Sequence, residues 1–443
     1  MVLLLISVAL FGFGFVFWRA GVVLALVMAI VEGALRKWAF PAHQDFLYVA
    51  KDIALAGAYL RFFGGRLVLH QPFIPEHPVN KPLALLLVWG LVEMLNPALP
   101  NWKVGLLGFK SYFFYVPLVY LLAELVGSTR TLVRGAALYA ALSVPVAVLA
   151  IVQFFSPLDS PIVSYLQWEE SSQSARPAYV GQFPRVSGTF SYISGFAAYL
   201  YVNLLLLVGL LISQRNLGRL VRSTLLPALI LGLVAVFMTG SRQPALLLLA
   251  EIPLLLAMVG KPGLAVRTLV ALALMVGVVM WAFPDAVDAF WFRTTTSGDE
   301  EQRLRSLVIE PFEFLGLALP FGSGIGATHQ AATFLVQPGD YHWVPTTEFE
   351  DEPGRVMLEL GPVGFGLFYF VKLAFLLYFW RLQRRVLDSD LKVFAALGFL
   401  VQGGFFVMNT AFNVAASLYL WTFSGLLLLV PRLEQQERRK LAA

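Results

Sequence analysis

Residues 284–355 read PDAVDAFWFRTTTSGDEEQRLRSLVIEPFEFLGLALPFGSGIGATHQAATFLVQPGDYHWVPTTEFEDEPGR, a long polar stretch in a chain that otherwise resembles membrane. It carries twelve acids, the arginines Arg293, Arg303, Arg305 and Arg355, a glycine-rich turn at 322–326, and His329 and His342. Apolar runs flank it at about 264–283 and 355–380. A spanning helix needs about 20 mostly apolar residues. The flanking helices are therefore expected to hold this loop at one membrane face, with the chemistry where it folds back onto them.

Composition extends that reading to the whole chain. It is 58% hydrophobic and 13% charged, with a mean hydropathy of +0.75, against roughly 45–50% and 25% for a soluble globular domain. The fold class expected is all-α: a polytopic integral membrane protein, with residues 1–443 forming a single membrane domain. Working outward, apolar runs predict helices at about 2–17, 21–35, 46–63, 82–97, 104–126, 132–155, 191–213, 223–239, 244–260, 264–283, 355–380, 391–409 and 411–430. That makes about 12–13 spans. Two polar segments interrupt them, a shorter one at 156–190 and the long one at 284–354.

The net charge of +5 lies largely in short loops and the tail. It reads as a topology signal rather than a nucleic-acid surface. Arg130 and Arg134, Arg215 to Arg222, Lys261 and Arg267, Arg381 to Lys392, and Arg432 to Lys440 fall on one side of the counted helices, the cytoplasmic side by the positive-inside rule. Both polar segments then face the opposite side. Arg36-Lys37 falls there too, against the rule. Cysteine is absent, which excludes disulfides and thiolate chemistry. Met1 to Phe17 lacks a basic n-region and a cleavage site, so it reads as a retained helix.

Several residues could carry chemistry. Arg242, in the turn Thr239-Gly-Ser-Arg-Gln243, sits at a helix start on the side that disfavours isolated arginines. A guanidinium there suits a phosphate or carboxylate, with Ser241, Thr239 and free helix N–H groups as further donors. Arg185 lies beside Ser187 and Thr189. Arg303 and Arg305 stand among acids, where ordinary helix-surface pairs are the bland alternative. Glu348, Glu350, Asp351 and Glu352 cluster before a helix. Glu359 lies one turn inside it, where an acid should be paired or functional, and Arg355 is its expected partner. A carboxylate, His329 or His342 could act as general base. The histidine spacing matches no metal signature, so no metal is expected. Lys51, Asp52, Glu93, Lys110, Glu124 and Glu251 lie in or near apolar runs and call for partners on other helices, with a proton or ion path as the alternative.

Three segments, taken in order, resemble the superfamily of O-antigen ligases and O-antigen polymerases. They are Arg185-Val-Ser-Gly-Thr-Phe190, Thr239-Gly-Ser-Arg-Gln243, and the loop running from its early arginine through Pro320-Phe-Gly-Ser-Gly-Ile-Gly326 to Glu359-Leu-Gly-Pro-Val-Gly364. The resemblance implies a C-type glycosyltransferase-like fold with a large periplasmic loop between two late helices. It implies transfer of a saccharide from an undecaprenyl-diphosphate carrier to an acceptor hydroxyl, without metal, nucleotide or other cofactor. The acceptor would be a saccharide or lipid A-core. Membrane lipids and polysaccharide-assembly proteins would be the other partners, and the location a bacterial inner membrane with the site facing the periplasm. Arg242 and Arg303 (or Arg305) would bind the diphosphate, with Arg185 in support. The family often carries a His-Asn pair about nine residues before the acid of the last motif; here that place holds Glu350-Asp351. The acceptor-side base would then be Glu350 or His342, which favours a repeat-unit polymerase over a ligase. A lipid-linked-saccharide transporter and a non-catalytic scaffold are the competing classes.

Overall fold

The computed structural model describes residues 1–165, 179–180, 183–213, 217–260, 308–318, 320–336 and 351–442, with isolated positions between 263 and 305. The regular structure among the described residues is helical apart from a minimal antiparallel strand pair, β1 (Tyr179–Val180) and β2 (Phe183–Pro184). In the N-terminal part, the helices are α1 (Val2–Val16), α2 (Trp18–Ala34), α3 (Gln44–Val68), α4 (Asn80–Met94), α5 (Trp102–Phe113), α6 (Leu118–Leu125), α7 (Thr129–Ala141) and α8 (Ser143–Phe154). They continue as α9 (Ile193–Ile212), α10 (Arg219–Met238) and α11 (Arg242–Met258). Two single turns, α12 (Glu310–Glu313) and α13 (Leu315–Ala318), precede α14 (Glu352–Arg385), α15 (Ser389–Val407), α16 (Val414–Ser424) and α17 (Leu426–Ala442).

Among the described residues, seven helical stretches are long and apolar enough to cross a membrane: Trp18–Ala39, Thr129–Phe154, Ile193–Ile212, Val221–Met238, Glu352–Arg385, Ser389–Val407 and Val414–Lys440. The pair α5 and α6, bent by 40° at Phe114–Pro117, makes an eighth if counted as one span. The chain is thus a polytopic helical membrane protein. The expected 12–13 spans shrink for local reasons. Helices α4 and α11 run only 15 and 17 residues. Helix α3 has 25 residues but carries Asp45, Lys51, Asp52, Arg61 and Arg66. The run at 264–283 lies mostly outside the described residues.

Helix α9 is the centre of the bundle: 89% of its apolar window is buried. It is apolar on every side, as a helix surrounded by others must be, and it packs against α7, α10, α11, α15 and α16. Lipid is as apolar as leucine, so helices here associate through close packing. Small residues provide it: a Cβ on Gly14 would run into the Ala54 carbonyl of α3, and one on Gly404 into the Tyr201 hydroxyl of α9.

Hydrogen bonds sort the helix ends into two groups. The Ser213 hydroxyl donates to Asp390 Oδ1 at 2.8 Å, Leu387 N–H donates to Glu434 Oε1 at 2.8 Å, and Arg432 donates to the Val126 carbonyl. This joins the basic loops and the tail at one end. The segments 185–191 and 320–336, the turn 239–241 and the start of α14 are tied together at the other. Arg36-Lys37 lies at that second end, bonded to Ser191 and Ser187. The pair therefore shares its end with the polar segments, and hydroxyl partners hold its charge there.

Candidate functional site

The first half of the site is built on the segment 185–191. This stretch has no regular ladder, so its backbone groups need partners from elsewhere. Three helices supply them. Gln153 of α8 donates to the Gly188 carbonyl at 3.0 Å and accepts from Gly188 N–H at 2.8 Å. Val186 N–H donates to the Met238 carbonyl of α10 at 3.2 Å. From α2 and its π-helical extension Leu35–Ala39, Lys37 donates to Ser187 Oγ and the Gly188 carbonyl, both at 3.1 Å, and Arg36 donates to Ser191 Oγ at 3.2 Å. The segment is a fixed platform.

Arg185 stands on that platform. Its Nε donates to the Thr239 carbonyl at 3.0 Å and its Nη2 to Ser241 Oγ at 3.2 Å. Gly240 has φ +63, and a Cβ there would meet Arg185 Nε at 3.1 Å, so the turn needs glycine both for its backbone and for the guanidinium laid across it. Arg242 follows as the first residue of α11 and is 7% exposed. Two motifs 54 residues apart thus form one basic, hydroxyl-bearing corner at the positive end of a helix.

The second half joins the glycine run to α14. Gly322, Gly324 and Gly326 have φ of +76, +91 and +92, and α14 breaks at Gly361 (φ +65) before Pro362. A Cβ on Gly322 would press on Gly361 N at 2.6 Å, and one on Gly361 on Gly322 N at 2.9 Å. The two glycines let the turn lie directly on the helix kink. Beyond it, Thr328 is clasped from two sides. Its N–H and hydroxyl donate to Glu359 Oε1 at 2.8 and 2.6 Å. Arg355 donates to its hydroxyl at 3.0 Å and its carbonyl at 2.7 Å. The Arg355 guanidinium also lies 3.4 Å over the Phe412 ring. Arg355 and Glu359 therefore meet through Thr328 rather than as a plain ion pair. Glu359 is fully buried and anchors the loop.

His329 follows Thr328. Its Nδ1 accepts from Ala331 N–H at 3.1 Å, which leaves the ring proton on Nε2. Burial, Arg355 and Lys110 push its pKa down to about 3. The imidazole is neutral and presents a donor, which fits anion or hydroxyl recognition better than proton abstraction. Near the start of α14, burial together with Asp351 and Glu313 pushes Glu310 up to about 7.

The halves are linked. Gln243 donates to the Val407 carbonyl at 2.9 Å, and just past it Thr410 N–H, Thr410 Oγ1 and Ala411 N–H all donate to Glu352 Oε1 at 2.6–2.8 Å. Lys372 closes the other oxygen of Glu352 at 2.5 Å.

Of the residues singled out in the sequence, Arg185, Arg242 and Glu359 fall into this assembly. Arg305 pairs with Glu313, eight residues on, at 2.7 Å in an exposed position: a surface ion pair, though not one at helical i,i+3 or i,i+4 spacing. Arg303, His342 and Glu350 lie outside the described residues. Sequence reasoning missed Thr328, Lys372 and the holding role of Lys37. Lys372 had a usable signal, a lone cation within an apolar run; Thr328 had none. Most of the intramembrane charges did find partners on other helices: Lys51 with Glu32 at 2.5 Å, Asp52 with Lys110 at 2.7 Å, and Glu251 with Tyr201 at 2.7 Å, whereas Glu93 is bonded to Asn96, three residues on.

No protein-family model matches the chain, and no curated protein matches it significantly.

Proposed function

We propose that the chain is a metal-independent membrane glycosyltransferase that moves a saccharide from an undecaprenyl-diphosphate carrier to an acceptor hydroxyl, acting as an O-antigen or exopolysaccharide repeat-unit polymerase in a bacterial inner membrane. The observation that carries this reading is the meeting of Arg185 with the turn before Arg242. The two segments that resemble the family's arginine motifs form one anion-binding corner, and the two later motifs meet in the same way at Gly322 and Gly361.

In this reaction the acceptor oxygen attacks the anomeric carbon, the bond from that carbon to the diphosphate oxygen breaks, and the diphosphate leaves with the electron pair. Arg185 and Arg242 supply fixed positive charge where the leaving group gains negative charge. Their hydroxyl neighbours and the α11 N-terminus add donors. The acceptor proton passes to Glu350 or His342. Glu350 lies two residues before α14, whose first turns carry Glu352 and Arg355. Glu359 acts as a positioning residue through Thr328. An acid rather than a His-Asn pair at 350–351 supports polymerase over ligase.

The test is a deletion strain complemented with wild type, Arg185→Ala or Arg242→Ala, followed by sizing of surface polysaccharide and extraction of undecaprenyl-diphosphate saccharides. Each variant should lose polymer by about 100-fold or more while single lipid-linked repeats accumulate at the outer face, and chelators should not inhibit the wild type. Arg185→Lys should not rescue, because a lysine lacks the planar fork. Unchanged polymer and an unchanged lipid-linked pool in the deletion strain would sink the transferase reading. Donor that never reaches the outer face would replace it with a transporter.

A further inference from the structure

Glu251 sits nine residues past Arg242 on α11, about 13 Å further along the helix. It is 7% exposed. Among the described residues no cation pairs with it, although an acid inside an apolar run should be paired or functional. Its polar neighbour is the Tyr201 hydroxyl of α9, 2.7 Å from Oε2. The same hydroxyl lies 3.0 Å from the Leu400 carbonyl of α15. Helix α15 makes room with two consecutive glycines: a Cβ on Gly404 would strike the Tyr201 hydroxyl, and one on Gly403 would come to 3.8 Å from Glu251 Oε1.

Three oxygens thus stand in a row, and both gaps have hydrogen-bond length. Each gap needs a proton. The tyrosine has one and the carbonyl none. With Glu251 ionised, one gap would set two bare acceptors against each other, in an interior where an unmet acceptor is costly. The surroundings hold no cation to favour a carboxylate. Helices α9, α10 and α15 pack on α11. Helix α9 offers the tyrosines Tyr199 and Tyr201. The charges of α10 (Arg219 and Arg222) and of α15 (Asp390 and Lys392) lie in the first turn of each helix, and Lys392 is eight residues, about 12 Å, from Leu400. On α14, Leu376 reaches Gly403, but Lys372, one turn away, is taken by Glu352 at 2.5 Å.

We propose that Glu251 is a proton-binding site beside the central helix: its carboxylic acid donates to Tyr201, Tyr201 donates to the Leu400 carbonyl, and the bound proton latches α11 to α9 and α15. Nearer the start of α11, Gln243 donates to the Val407 carbonyl of α15. The latch is therefore the second of two ties that seat α11, and with it Arg242. When the proton leaves, Tyr201 turns to the carboxylate, the Leu400 carbonyl loses that donor, and the deeper tie opens. The three oxygens carry this assignment, and it holds whatever reaction the protein performs.

The experiment records infrared spectra of the purified full-length protein in detergent at neutral pH, wild type against Glu251→Gln, in water and in deuterium oxide. The wild type should show the C=O band of a protonated carboxylic acid that the variant lacks, and the band should move in deuterium oxide. Tyr201→Phe, which keeps the ring against Phe405, should retain the acid but shift its band, because the acceptor of its proton is gone. A difference spectrum in which Glu251→Gln loses a carboxylate rather than a carboxylic acid overturns the proposal, as does a band that Tyr201→Phe leaves in place. If Glu251→Gln does not fold, the Tyr201→Phe spectrum decides alone. Melting in detergent reads the latch. Glutamine is neutral and still has an N–H for Tyr201, so Glu251→Gln should melt with the wild type at neutral pH. As the pH is raised, the wild type should lose melting temperature relative to the variant, since the unfolded chain releases this proton and the fold keeps it. A wild type that holds its melting temperature as well as Glu251→Gln does would also overturn the proposal.

Discussion

Two buried charge clusters show how differently a membrane helix bundle can use the same residue types. Around Glu352, every charge is answered. One carboxylate oxygen takes three donors from Thr410 and Ala411, the other takes Lys372, and both side chains are at most 5% exposed. Between α2, α3 and α5, Glu32 takes Arg36 and Lys51, Asp52 takes Lys51 and Lys110, and Lys110, at the end of this chain of contacts, is 23% exposed on a groove. The saturated cluster can only hold α14 against α15. The other shares its carboxylates between cations and ends at a partly exposed lysine.

That contrast can be broken by experiment. The largest effect should come from Lys372→Met, which leaves Glu352 buried and uncompensated. Removing one partner of such a pair costs about 3–5 kcal/mol, read as loss of folded protein on heating in detergent. Glu352→Gln combined with Lys372→Met should lose less than Lys372→Met alone. If the single variant is as stable as wild type, the cluster is not a closed structural pair. A smaller effect is expected from Lys110→Met, because Asp52 keeps its Tyr115 and Lys51 contacts: about 1 kcal/mol in the same melt. A melt as damaging as that of Lys372→Met would erase the distinction.

The smallest effects are in pH dependence. His329 has its folded pKa pushed down to about 3, against an ordinary value near 6.5. It is neutral in the fold and charged in the unfolded chain below that value. Its contribution is therefore full above about pH 6.5 and lost as pH falls toward 3. Glu310 slopes the other way: with its folded pKa pushed up to about 7 from 4.5, stability declines as pH rises between those values. Melting curves of His329→Gln and Glu310→Gln against pH should each flatten one of these slopes, and a slope that survives its substitution would show that another group sets it.

Much of the fold was legible in the sequence because length and hydropathy decide what a bilayer accepts. The helix at 191–213 was predicted almost to its ends and is observed at Ile193–Ile212. The helix at 104–126 was read as one span and breaks at Phe114–Pro117, since Pro117 ends what apolar composition alone would continue. The site was legible in part. Arg242 stood out as an isolated arginine on the side expected to disfavour it, whereas Arg185 drew notice only beside Ser187 and Thr189. Thr328 could not stand out: it is an ordinary loop threonine until Arg355 and Glu359 close on it.

The amino-acid sequence by itself determined the solvent in which this chain folds, most of its helices and the glycines that its turns require. These follow from local composition and backbone sterics. Only the tertiary structure decided which charges answer one another. Whether Lys372 is a liability or a lock, and whether Lys110 is closed off or left facing a groove, depends on side chains from helices tens to hundreds of residues away. Coulomb energy in a low-dielectric interior depends on ångström distances, and spacing along the chain does not carry them.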